Sequence, residues 1–351
     1  RSVLASALAL PAFVAGAGAS TAPRAKAAPQ PERPLGRVSE ATPLDPIRPK
    51  INDYEAWPHL LSTPGGAVLC GYTARIQHLN VDGSASVVVR STDGGRSWES
   101  IAVHRKDGVG WGFEAGTTGA DGRIITLHSR NDSLEHDDPA EVLVEFSDDD
   151  GKTFTEGASF PSEGRFATIG DLTYVGGRTL LAPWHGDGWG VLRTEDNGAT
   201  WTIEGKGNGG EWPREGRIIA SEQGLLMIGR SPDGLLLLRS TDTGSTWTQA
   251  EQTGLGVRYE GMHVDGETVH LVLADRETGK ITRTASTASR LFADATDWDE
   301  QVHIADLDPS GAPAEQGYPD LAPIGTEGTM LMAAYDGENP VTDIRLWEVP
   351  A

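Results

Sequence analysis

A single cysteine, Cys70, in 351 residues excludes an internal disulfide and any CxxC metal or redox motif. Basic residues are also scarce: 29 Lys and Arg stand against 51 Asp and Glu, for a net charge of -22. A polyanion such as DNA is held by Lys and Arg neutralising its phosphates, so nucleic acid is not an expected partner. Long apolar runs are missing too. The run at residues 3–19 is too short and too interrupted by proline to make a membrane span. What the chain has in excess is glycine, 44 residues, or about one in eight. Glycine tolerates the positive φ that tight turns need, so this is the composition of a turn-rich β protein.

The first fifty residues differ from the rest. Residues 3–19, VLASALALPAFVAGAGA, read as the apolar region of a secretory signal ending in the small residues Ala17-Gly18-Ala19. The charged start of such a signal is expected upstream of Arg1. Residues 20–44 are rich in Ala, Pro and Arg and are expected to form a disordered spacer. Residues 1–50 carry seven basic and three acidic groups, which leaves -26 on the remainder. The expected layout is therefore a signal over 1–19, a spacer over 20–44 and one folded domain over 45–351. The expected location is secreted, with no membrane span.

One pattern recurs within that domain, S/T-x-D-x-G-x-x-W/F. It reads Ser91 to Trp98, Ser147 to Phe154, Thr194 to Trp201 and Ser240 to Trp247, with the aromatics 56, 47 and 46 residues apart. The Asp accepts backbone N–H groups of its own turn, the Gly takes a left-handed position, and the aromatic buries its ring. An apolar run precedes every copy (SVVVRS, EVLVEFS, GVLRT, LLLLRS) and another lies upstream (AVLCGY, RIITLHS, RTLLAPW, LLMIGR). Each period thus holds about four short strands and no convincing helix, the pattern of a propeller blade. TVHLVLADR, KITRTAST and the Trp298 region make a fifth blade with a degraded turn. Tyr318 through MLMAAY to IRLWEV makes a sixth. The predicted fold is all-β, a six-bladed β-propeller of four-stranded antiparallel blades, with a strand from residues 45–52 closing the ring.

In a propeller the innermost strands converge on the axis, so their lead-ins and exits should line one pocket. An acidic residue recurs at the lead-ins: Glu55, Glu114, Asp171, Glu215, Glu260 and Asp320. The exits carry Arg75, Arg130, His185, Arg230 and Arg276. Carboxylates and guanidiniums around one mouth suit a polar or anionic sugar, and Trp57, Trp184, Trp189 and Trp212 offer faces for pyranose stacking. The Asp148–Asp150 run belongs to a turn rather than to a calcium site. His104, His128, His136 and His263 lack metal-ligand spacing. No metal and no cofactor is expected.

The repeated turn resembles the Asp box, or BNR repeat, of the sialidase (neuraminidase) superfamily, over roughly residues 45–351. The segment from Glu215 through Gly224-Leu-Leu-Met227 to Arg230 is similar to the sialidase segment in which a Glu precedes such a strand and an Arg follows it. The resemblance implies that Glu215 pairs with a last-blade Tyr, here Tyr318 in Gly-Tyr-Pro-Asp-Leu. It also implies that Arg230 and Arg276 clamp a substrate carboxylate. A neutral Tyr deprotonated by Glu avoids the repulsion between a carboxylate nucleophile and an anionic sugar. Arginines hold a carboxylate through paired hydrogen bonds.

Two positions depart from the family. Its first blade opens on Arg-Ile-Pro, where this chain has Ala56-Trp57-Pro58, so Arg75 is the expected substitute for the lost arginine. The family's acid/base Asp would fall near Leu79 or Asn80, leaving Asp82 and His78 as the nearest titratable groups. The expected function is an exo-glycoside hydrolase acting on terminal sugars of a glycan or polysaccharide, as a monomer. The alternatives are a non-catalytic carbohydrate-binding propeller, or a polysaccharide lyase using His78 or His185 as base.

Overall fold

A computed structural model of the chain describes residues 41–78, 82–132, 140–162, 166–207, 212–256, 258–307, 316–325, 328–338 and 340–350. The signal and spacer readings, His136, Leu79 and Asn80 lie outside these residues, except that the spacer's last residues are described.

Six antiparallel sheets stand around one axis, each starting at the axis and stepping outward. Blade one runs Tyr54–Ser62, Val68–Arg75, Ala85–Ser91 and Glu99–Arg105, and blade two runs Gly110–Thr118, Ile124–Asn131 and Glu141–Ser147. Two short outer pieces, Thr155–Glu156 and Phe160–Pro161, finish blade two. In blade three the inner strand is split into Phe166–Ile169 and Thr173–Gly176, followed by Thr179–Gly186, Gly188–Thr194 and Thr202–Gly207. Blade four is Arg214–Ser221, Gly224–Ser231, Gly234–Ser240 and Glu251–Gln252, and blade five is Tyr259–Asp265, Thr268–Ala274, Lys280–Thr287 and Val302–Asp306. Blade six is Gly317–Pro323, Thr329–Glu338 and Val341–Pro350, and its outermost strand comes from the other end of the chain, Thr42–Leu44. The closing strand therefore lies just before residues 45–52, inside the segment expected to be spacer.

Second strands such as Val68–Arg75 are buried on both faces because neighbouring blades cover both sides. Buried apolar clusters fill five of the six seams between blades. Tyr54, Cys70, Tyr335 and Leu346 knit blade six to blade one, and Ile125, Leu127, Leu180 and Trp184 knit blade two to three. The seam between blades one and two has no such cluster among the described residues.

The four repeated turns share one hydrogen-bond pattern. The Ser91 hydroxyl donates to Asp93 at 2.8 Å and accepts from the Gly95 N–H at 2.9 Å, while Asp93 accepts from the Arg96 and Ser97 N–H groups. Ser147/Asp149, Thr194/Asp196 and Ser240/Asp242 repeat it. In the tryptophan copies, the indole N–H donates to the carbonyl three residues back, as from Trp98 to Gly95. Blade five replaces the turn with a short helix, Ala288–Ala293, yet Trp298 donates to Ala295 in the same way at 3.0 Å. The degraded fifth turn keeps its anchor and loses its sequence pattern.

Candidate functional site

Five of the six inner strands carry one extra residue relative to their neighbour, at Trp57–Pro58, Glu114, Ala167, Glu215–Gly216 and Tyr318–Pro319. A bulge of this kind bends the strand and re-aims a side chain. Trp57, Glu215 and Tyr318 take the left-handed backbone conformation there, with φ of 56°, 53° and 48°. Each such large residue costs on the order of 1–3 kcal/mol, a strain that clusters where geometry serves function.

The bulges face a cavity of about 370 Å³ on the axis, lined from all six blades. At its centre the Tyr318 hydroxyl donates to Glu215 Oε1 at 2.8 Å, a bond across 103 residues of chain. Arg230 grips the same carboxylate with both Nε and Nη2, the latter 2.7 Å from Oε1. Burial pushes Glu215 up, but the Arg230 hydrogen bonds and charge outweigh it and keep the carboxyl below its ordinary value. Burial, reinforced by the Glu215 charge, raises the Tyr318 phenol well above its usual value. The resting pair is thus a phenol donating to a carboxylate. Arg276 lies 4.4 Å over the Tyr259 ring and donates to the Gln316 carbonyl and the Tyr335 hydroxyl. Arg75 lies 4.8 Å over Trp57, and His78 meets that indole edge-on and pairs with the Tyr54 hydroxyl at 2.8 Å.

Below the pair, four blades are tied by charge. His59 meets Asp171 at 3.0 Å, Arg217 bridges Asp171 and Asp320, and Asp320 also accepts the Leu60 N–H at 2.6 Å. Burial pushes Asp320 up, whereas Arg217 holds Asp171 ionised against the same desolvation. The blades meet closely here: a Cβ on Gly170 would sit 1.9 Å from the Gly216 carbonyl oxygen, so only glycine fits. Glu260 lines the cavity with Oε1 lacking a hydrogen-bond partner among the described residues, and burial raises it to about 8. Glu114 is raised by burial as well and accepts the Ile169 N–H.

The structure gathers Glu215, Tyr318, Arg230, Arg276, Arg75, His78, Trp57, Glu114 and Glu260 around the cavity. Five other expected site residues lie outside its lining. Glu55 is fully buried, its backbone bonded to Thr342 of blade six and its carboxylate accepting the Ile51 N–H, and burial raises it to about 7. Asp82 accepts the Gly108 N–H, and Arg130 pairs with Asp132 and Glu141. Asp320 serves the charge network. His185 accepts the Glu215 N–H at 3.1 Å from behind, its pKa lowered by burial, so it braces the bulge. Among the tryptophans, Trp184 and Trp189 pack in apolar clusters, Trp212 is not in the lining, and Trp111 is.

His59, Arg217 and Trp111 were not anticipated as site residues. A signal for two of them exists in Trp57-Pro58-His59, Glu215-Gly216-Arg217 and Tyr318-Pro319-Asp320. Each bulged residue is followed by Pro or Gly and then by a charged or titratable group that joins the network below.

No family model matches the chain, and no curated protein matches it. Solved structures do match in fold. A protein of unknown function from Dyadobacter fermentans superposes with a TM-score of 0.70 at 17% identity, covering 89% of this chain and 98% of its own. The phage phi92 endosialidase gives 0.67 at 10% identity, covering 89% and 69%. The intramolecular trans-sialidase of Ruminococcus gnavus, solved with oseltamivir carboxylate, gives 0.61 at 13% identity, covering 84% and 94%. The six-bladed architecture is the sialidase-like propeller. No helix among the described residues is long and apolar enough to cross a membrane.

Proposed function

We propose that the chain is an exported exo-acting glycoside hydrolase, with Tyr318 as nucleophile and Glu215 as its base, cleaving a terminal sugar that bears a carboxylate. The hydrogen bond from Tyr318 to Glu215 inside the axial cavity carries this reading. As the Tyr318 oxygen bonds to the anomeric carbon, its proton passes to Glu215 and the glycosidic C–O bond breaks. Water then bonds to the anomeric carbon as the bond to the tyrosine oxygen breaks; Glu215 returns the proton to the tyrosine, and the water's proton passes to the acid that had protonated the leaving oxygen. The departing oxygen also needs a proton, and Glu260 carries one at neutral pH because burial raises it to about 8. Arg230 spends Nε and Nη2 on Glu215, which leaves Nη1 to join Arg75 and Arg276 in facing the sugar carboxylate.

The test is release of aryl leaving groups from a panel of α-linked acidic aryl glycosides. Tyr318→Phe and Glu215→Gln are each expected to lower turnover by about 10³-fold or more while circular dichroism shows the fold retained. Undiminished turnover in both overturns the assignment. Ala56, standing where the family has arginine, favours a second reading, a propeller that binds carbohydrate without cleaving it. Saturable glycan binding with no turnover on any substrate would establish that reading.

A further inference from the structure

The geometry points to a divalent-cation site of the zinc type in the seam between blades one and two, ligated by His104 Nε2, His128 Nε2 and Glu145 Oε2. The three residues come from the outer strand of blade one and two adjacent strands of blade two. Their ligand atoms converge: His104 Nε2 lies 2.9 Å and His128 Nε2 3.3 Å from the one oxygen Glu145 Oε2, and all three fall within 4.8 Å of one another. A tetrahedral zinc with arms of about 2.0 Å spaces its ligand atoms by about 3.3 Å, so small shifts would seat the ion. Two neutral imidazoles and one carboxylate form a set that zinc accepts, with the fourth position left for water.

Neighbouring side chains hold both imidazoles in place. Ser86 of blade one lies 2.6 Å from His128 Nδ1 and holds the ring, while Nε2 meets both Thr126 Oγ1 at 2.9 Å and Glu145 Oε2 at 3.3 Å, so an ion would replace the Thr126 contact. Trp111 stacks on His104 at 5.3 Å between centroids, and Phe113 meets His128 edge-on at 5.4 Å. His128 is fully buried, whereas His104 keeps 22% of its side chain exposed, which gives an ion a way in. The location adds a reason. The other five seams hold buried apolar clusters, whereas this one, among the described residues, joins the packing of Phe113 on Gly71 and of Leu69 on Gly151 to a polar group of ligand type. Trp111 and Phe113 also line the axial cavity, so an ion here would fix part of that wall.

Untagged full-length protein, stripped by chelator, is titrated with Zn²⁺ by calorimetry and with Co²⁺ by visible absorption. One equivalent of zinc, tetrahedral cobalt bands and a Tm that rises with zinc are expected. His104→Ala is expected to weaken binding by about 100-fold or more and to abolish the Tm rise. Absence of binding, or equal binding by protein and variant, overturns the site. Should the variant fail to fold, the cobalt spectrum of the unsubstituted protein decides: octahedral bands or none overturn the site as well.

Discussion

The repeated turns at the rim and the bulges at the axis both force non-glycine residues into the left-handed region. At the rim these are Asp150, Asn197 and Thr243, and at the axis they are Trp57, Glu215 and Tyr318. The rim repeats one scheme: a hydroxyl and a carboxylate bonded within four residues, with each left-handed residue also meeting the preceding blade, as Asp150 does Arg90, Asn197 does Asp121 and Thr243 does Arg193. At the axis the partners also cross blades but differ from one to the next, as Tyr318 to Glu215, Arg217 to Asp320 and His59 to Asp171. One scheme can be copied from blade to blade. The axial set has to be assembled once, which leaves each inner strand free to present a different side chain.

The largest expected stability effect tests the axis. Arg217→Met leaves Asp171 and Asp320 buried without their shared cation and should cost about 3–5 kcal/mol, read from urea denaturation. A loss below about 1 kcal/mol would show that the axis is no more interdependent than the rim.

A pH series separates the two regions next. At the rim, hydrogen bonds from Thr153 and Thr246 hold Asp149 and Asp242 down at about 2, so their contribution is complete above the ordinary value of 3.8 and fades as pH falls toward 2. At the axis Glu260 is raised from 4.5 to about 8, so the folded state binds the extra proton and stability declines as pH rises between those values. Glu260→Gln should remove part of that decline and leave the acid limb untouched. An unaltered slope between pH 5 and 8 would break the distinction.

The smallest effect is at the rim. Ser91→Ala removes three hydrogen bonds of one turn and should cost about 1 kcal/mol, with ligand affinity at the axis unchanged. A change in affinity would mean that the rim and the axis are coupled.

The same contrast governs what could be read from the sequence. The turns were legible because donor, acceptor, glycine and aromatic sit within eight residues, and their period counted the blades. Glu215, Tyr318, Arg230 and Arg276 were legible through a resemblance at one strand and its exit. Glu55 and Asp320 were misplaced because each flanks a bulge, and one inserted residue changes which side chains meet the axis. Arg130 and His185 were misplaced because every strand exit was assumed to face the axis, and Asp82 because it was chosen for nearness in sequence alone. Arg217 was passed over because its partners lie 46 and 103 residues away. The His104, His128 and Glu145 group shows no motif at all, since its members sit on three strands of two blades.

The ring is closed by pairing Thr42 with Glu348 and Leu44 with Leu346. That single strand sets a limit on proteolytic trimming. A protease can remove residues up to the neighbourhood of Ala41 and leave blade six four strands wide. A cut beyond Leu44 would bare the backbone of Val341–Pro350 as a raw sheet edge, ready to pair with another chain. Whether that edge stays covered therefore turns on three residues, none of which lines the axial cavity.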